Sequence, residues 1–173
     1  MSHRFPAVLR MLVLVPATIA LSITMALSAA PAAMAAPVPN RTAPTAMAAA
    51  LRIGQVRGLR IVRLAGAQRG KPYRYGSRGP HSFDCSGYTG YIYREVHLAL
   101  ARTADAQYHQ ARHIARTRAR PGDLVFWLSG RHAYHVAIYA GRGRVWHAPR
   151  TGERVKLVRI FDARHVRFGR IGL

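Results

Sequence analysis

The hydrophobic period of this chain of 173 residues changes once, at Pro121, and that change limits the fold more than any other feature. Before it, apolar residues recur at helical spacing. After it, they alternate. "DLVFWL", "YHVAIYAG", "GRVWHAP", "ERVKLVRI" and "VRFGRIGL" are five short runs rich in Val, Ile and aromatic residues, parted by Gly, Pro and Arg. Such runs predict an antiparallel sheet. Helices first and strands afterwards, with no internal repeat, predict an α+β domain: N-terminal helices packed on a C-terminal antiparallel sheet of about five strands.

The part before Pro121 divides further. Residues 1–35 read as a secretory signal peptide, with Arg4 and Arg10 but no acid, an apolar run from Met11, and Ala33-Met34-Ala35 at the cleavage position. An uncleaved membrane anchor is the alternative, because the run approaches spanning length. Residues 36–54 are rich in Ala and Pro and predict a flexible linker. Residues 55–173 are then the folded domain. Its first helix has Leu59, Val62, Ala65 and Ala67 spaced for one face, widened by Ile61 and Leu64 and ended by Gly70 and Pro72. A second helix follows Asp84, a good N-cap, with Cys85, Tyr88, Thr89, Ile92 and Val96 in one stripe. "TADAQYHQARHIAR" can hold a third, starting near Thr103 or Asp105, and Arg116–Arg120 reads as a basic connector.

The charge is one-sided: 27 Lys and Arg against 6 Asp and Glu, a formal +21. Removing residues 1–35 takes away two arginines and leaves +19. Such a field attracts nucleic acid, anionic membrane or an acidic cell wall. The charge is spread along the chain rather than gathered on a basic helix or an aromatic stripe, so no specific nucleic-acid partner is expected. A membrane role is expected only through the signal segment, if it stays uncleaved.

Cys85 is the only cysteine. An exported domain with one thiol has no internal disulfide, so the thiol is core filler, an intermolecular link or a working nucleophile. Its setting favours work. At the first position of a helix, unpaired N–H groups and the helix dipole stabilise a thiolate. Ser86 and Gly87 leave room for a substrate backbone. The charge of Asp84 opposes the thiolate, so a cationic or proton-accepting neighbour is needed. His135 and His147 lie inside strand patterns. Alternation puts His135 with Ala137 and Tyr139, and His147 with Val145. Two adjacent strands would therefore present both imidazoles side by side toward the cysteine helix, His135 to accept the thiol proton and His147 to fix its tautomer. A zinc site of His132, His135 and His147 is the competing reading, and it leaves the cysteine without a purpose.

"KPYRYG", "FDCSGY", "ARTADAQ", "RPGDLVFW" and "YHVAIYAGRGRVWHAP" occur in that order, and together they resemble the successive blocks of the NlpC-type cell-wall peptidases across roughly residues 58–173. The resemblance implies a papain-like α+β fold. It also implies a cysteine peptidase that cleaves amide bonds in peptidoglycan stem peptides, often between D-γ-glutamyl and a diamino acid. Cys85 would be the nucleophile, His135 the general base and His147 the orienting residue. Tyr73, Asp84 and Ser86 would line the substrate site, and Asp123 would be structural. No metal or cofactor is implied, and a secreted, wall-associated monomer is expected, with stem peptides and the anionic wall as its partners. Tyr134, Ala137, Tyr88 and Ala101 depart from the usual blocks without removing a catalytic group. A catalytically inactive, basic wall-binding protein of the same fold is the alternative.

Overall fold

Residues 42–172 are described by a computed structural model of the chain. The signal segment, and residues 36–41 of the linker, lie outside the described residues. Within them are three α-helices and one six-stranded antiparallel sheet: α1 (Thr42–Ala67), α2 (Cys85–Arg94), α3 (Ala104–Gln110), β1 (Arg112–Ile114), β2 (Leu124–Ser129), β3 (His132–Gly141), β4 (Arg144–His147), β5 (Lys156–Arg159) and β6 (Val166–Arg170). The strand order is β1-β6-β2-β3-β4-β5.

α1 corrects two expectations. Residues 42–54 are helical, not linker. "AMAAALR" consists of strong helix formers, and a helix already nucleated by a packed second half extends at little cost. The buried stripe is also shifted. Gly58, Ile61 and Ala65 face the core, whereas Leu59 and Ala67 are exposed. Gly58 is where the helix meets the domain. A Cβ there would lie 2.2 Å from the Pro121 carbonyl oxygen, and one on Gly122 would lie 2.5 Å from Gly58 Cα. Both positions therefore need glycine for the backbones to touch.

The sheet has one more strand than the alternation predicts. Arg112–Ile114, assigned above to the third helix, pairs with β6 (Arg112↔Arg170, Ile114↔Phe168). Ala111 turns to an extended conformation after α3, and the three residues that follow cover an otherwise open sheet edge. The five predicted strands are all present.

Apolar residues fill both faces of the sheet. On the helix side, Phe83, Tyr88, Ile92 and Tyr93 pack against Leu124, Phe126, Val136 and Ile138. On the other, Val125, Trp127, Ala137, Val145 and Phe168 form a second cluster. Full burial of each large side chain contributes about 1.5–3 kcal/mol, so this two-sided core is the rigid platform on which the α2 N-terminus and the β3–β4 pair are held.

Candidate active site

α2 begins as its sequence predicts. Asp84 is extended (φ −90°, ψ 177°) and its Oδ1 accepts from the Gly87 N–H at 2.6 Å. Such a cap stabilises by about 1 kcal/mol. Gly87 lies so close to the preceding loop that a Cβ would meet the Ser77 carbonyl oxygen at 2.1 Å. The small residue after Cys85-Ser86 thus serves helix–loop packing.

Cys85 is half-buried at the first position of α2. Burial pushes its thiol up, and the charge of Asp84 adds to the rise. The backbone N–H groups of Val136, Ser86 and Cys85 itself act in the opposite direction. Asp84 does not stand alone. Arg102 Nη2 forms an ion pair with Asp84 Oδ2, and Arg102 Nη1 donates to Asp84 Oδ1 at 3.2 Å and to Ser86 Oγ at 3.0 Å. The Tyr73 phenol is raised by burial first, then by the neighbouring Cys85 and Asp84. Tyr73, Asp84 and Ser86 are therefore gathered around the cysteine.

On the sheet side, His135 Nε2 and His147 Nδ1 are 3.0 Å apart. The predicted side-by-side placement of the two imidazoles is present, with one difference. Their strand companions Ala137 and Val145 belong to the cluster on the sheet face away from α2. The sulfur instead lies at the β3 backbone, where it meets the N–H of Val136, the residue after His135. An irregularity in the β2–β3 ladder lies just before His135. Trp127 pairs with His135 but Leu128 pairs with Ala133, so Tyr134 is an extra residue. Such bulges re-aim side chains. Ala133 joins the helix-side core, and the His135 ring packs on Trp127 at 5.3 Å.

Both imidazoles are dry. His135 is 7% and His147 4% exposed. Burial holds each well below the ordinary imidazole value, with His147 reinforcing the shift in His135 and Lys156 that in His147. Both are neutral at neutral pH. Phe161 covers the pair from outside. Its ring stacks on Trp127 at 4.5 Å and lies 6.5 Å from His135 and 6.1 Å from His147. Its carbonyl accepts from the Trp127 indole N–H at 2.8 Å. His147 Nε2 is buried with no hydrogen-bond partner among the described residues.

His132 does not join this pair. It is exposed and sits 3.3 Å from Asp105 Oδ1, an oxygen that also accepts from the Ala133 N–H. Among the described residues no three His, Cys, Asp or Glu side chains are grouped to hold a metal ion. Asp123, at the turn into β2, accepts from Arg170 at 2.7 and 2.8 Å and caps the Arg120 N–H, a structural arrangement.

A profile of the NlpC/P60 family matches residues 70–166, more than half of the chain. The chain belongs to the NlpC/P60 family. Among proteins similar to it, a "Probable endopeptidase p60" of Listeria monocytogenes is 44% identical over 91 residues, covering 51% of this chain and 19% of the relative. A "Probable endopeptidase" of Corynebacterium glutamicum is 41% identical over 120 residues, covering 69% of this chain and 54% of the relative. The chain thus spans about a fifth to a half of the length of these relatives. Among solved structures, the NlpC/p60 domain of the peptidoglycan hydrolase SagA superposes with a TM-score of 0.56 at 40% identity, over 59% of this chain and 88% of that one.

Within this NlpC/P60 domain, sequence reasoning missed four residues that complete the site. Arg102 was signalled only by the acid beside the nucleophile, which calls for a cation. Gln107 is fully buried. It donates to the Ser86 and Ala101 carbonyls at 3.0 and 2.8 Å and accepts from Thr89 Oγ1 at 2.7 Å, tying α3 to α2. Trp127 and Phe161 enclose the imidazoles, and no local pattern marks them.

Proposed function

We propose that this chain is an extracytoplasmic peptidoglycan endopeptidase that works through Cys85, His135 and His147. The 3.0 Å contact between two buried, neutral imidazoles, on the strand whose backbone touches the only thiol, supports this reading best. His135 uses Nε2 toward His147, which leaves Nδ1 as the nitrogen for the thiol. With the His135 proton on Nε2 and donated to His147 Nδ1, Nδ1 carries a free lone pair. It takes the proton of Cys85 as the sulfur attacks the amide carbonyl. The oxyanion meets the Cys85 backbone N–H and the Tyr73 hydroxyl. The imidazolium then protonates the departing amine. Water, deprotonated by His135, hydrolyses the thioester and restores the thiol. Because the thiol is raised and the imidazole lowered, the resting pair is neutral, and proton transfer accompanies attack.

The substrate we assign is a stem-peptide amide between D-γ-glutamyl and a diamino acid, with the arginine-rich surface drawn to the anionic wall. Mass spectrometry of muropeptides after digestion of sacculi tests this. The wild-type chain should release new stem fragments split at that bond, and Cys85→Ser should release none. Wall binding without thiol-dependent release would replace the enzyme by a binding protein of the same fold. Activity lost to a chelator and restored by zinc would replace the mechanism.

A further inference from the structure

We propose that Tyr75 is a specificity-determining residue, whose ring stacks on the amino sugar from which the stem peptide hangs. The proposal rests on the endopeptidase reading above. Among the described residues three Tyr, Phe or Trp side chains are exposed: Tyr75 at 87%, Tyr134 at 52% and Phe161 at 45%. All three adjoin the candidate site. Tyr134 precedes His135 in β3, and Phe161 covers both imidazoles. Tyr75 is the one on the thiol side, two residues after Tyr73, and it is the most exposed.

The backbone that carries this ring is fixed. Arg74–Ser77 is a β-turn closed by the Ser77 N–H on the Arg74 carbonyl at 3.1 Å, with Gly76 at φ 77° as its third residue. Both ends of the turn are tied to the segment that enters α2. The Arg74 N–H donates to the Phe83 carbonyl at 2.9 Å, and the Asp84 N–H donates to the Ser77 carbonyl at 2.9 Å. Ser77 Oγ also donates to the Ser82 carbonyl at 2.8 Å. The tip of the turn is therefore held beside the residues that lead into Cys85. Tyr75 is near enough to act on the Tyr73 phenol, after burial, Cys85 and Asp84, and on the Arg102 guanidinium, after Asp84, burial and Cys85. A ring held by its backbone and left in water is a contact surface in waiting.

The direction of the reaction selects the half of the substrate that meets it. In the proposed reaction His135 protonates the departing amine, so the amine half lies over β3. The acyl half extends the other way, past Tyr73 and Asp84 toward the 74–77 turn. In a stem peptide the acyl half leads back to the glycan. One face of a pyranose ring is a set of C–H bonds with partial positive charge, which matches the negative face of a phenol ring. The other groups on offer have no use for a ring face. A glutamyl carboxylate calls for N–H donors, and a phosphate of the wall calls for Arg74 and Arg78 on either side of Tyr75.

Two stems of identical sequence test the proposal, one carrying its disaccharide and one freed from it. The wild-type chain should cleave the sugar-bearing stem with about tenfold higher kcat/KM. Tyr75→Ala should abolish that preference by raising KM for the sugar-bearing stem alone, with kcat and the free-stem rate within about twofold of wild type. Tyr75→Phe keeps the ring face, loses the hydroxyl and should keep the preference. Equal loss on both stems would make Tyr75 part of the general cleft, and loss in Tyr75→Phe would make it a hydrogen-bonding group. Either result, or no preference in wild type, overturns the proposal. Saturation-transfer NMR separates its failure from that of the enzyme reading. Sugar protons of the disaccharide stem should be saturated on Cys85→Ala and not on Cys85→Ala/Tyr75→Ala. Stem release by wild type without this Tyr75-dependent contact would overturn the sugar assignment and leave the endopeptidase. Contact without release would support the sugar assignment and remove the endopeptidase.

Discussion

The two sides of the candidate site are built on opposite principles. Around Cys85 the structure is charged and compensated: Asp84 caps the helix, Arg102 answers Asp84, and Ser86 joins both. Around His135 and His147 it is dry, with Trp127 behind and Phe161 above, and the charges of Lys156 and Glu153 act on His147 only after burial. The thiol side is tuned by fixed charges and backbone dipoles, and the imidazole side by exclusion of water. A helix terminus with its N–H groups supplies the first, whereas a sheet with apolar cover on both faces supplies the second. The proposed chemistry would lie where the two environments meet, and each side can be broken separately.

Removing the member that bridges them has the largest effect. His135→Gln should lower stem-peptide hydrolysis by about three to four orders of magnitude, close to the effect of Cys85→Ser, because the pair acts as a unit. Turnover measured from pH 5 to 9 should show no recovery in alkali. Recovery there would mean that hydroxide can stand in for the imidazole and that the thiol side is sufficient.

His147→Ala keeps the base and loses its orientation, and should lower turnover by roughly ten- to a hundredfold. His147→Gln, whose side chain can still accept from His135, should recover part of that loss.

On the charged side, Arg102→Ala leaves Asp84 facing the sulfur uncompensated. We expect roughly tenfold slower alkylation of Cys85 at pH 7, because the uncompensated carboxylate pushes the thiol further up. Adding Asp84→Asn should restore the alkylation rate although the ion pair is gone. If the double variant stays slow, Arg102 acts on position rather than on charge.

The dry side makes a smaller, pH-dependent contribution to stability. Folded-state imidazoles held below their unfolded value stay neutral while the unfolded chain binds protons near pH 6.5. Stability is therefore intact above that pH and falls as pH drops below it, by up to about 1.4 kcal/mol per pH unit for each histidine. Urea denaturation at pH 7 and pH 5 should show the loss, and His135→Gln/His147→Gln should flatten it. No flattening would mean that the histidines are not dry.

On each side of the site the sequence showed some residues and hid others. His135 and His147 could be paired because alternation over adjacent strands is a local rule, and Asp84 could be read as a cap for the same reason. Arg102 and Phe161 could not, because each meets its partners across 14 or more residues of chain. β1 was hidden similarly: three residues are too few to show a period, and their partner strand begins at Val166. α1 misled in another way. Its first half has linker-like composition and no buried face, and its helicity comes from the packed turns beyond Gly58.

The extra residue at Tyr134 bears on how such a site can diversify. The pairings that set β3 against β4, Ile138↔Trp146 and Tyr139↔Val145, lie on the far side of His135 from it. The hairpin tip at Ser129–His132 lies on the near side. A bulge between them acts as a mechanical fuse: the tip can lengthen, shorten or change its side chains, and the strain is absorbed before it reaches the histidine pair. The hairpin tip is thereby free to drift while the 3.0 Å contact between His135 and His147 stays in register.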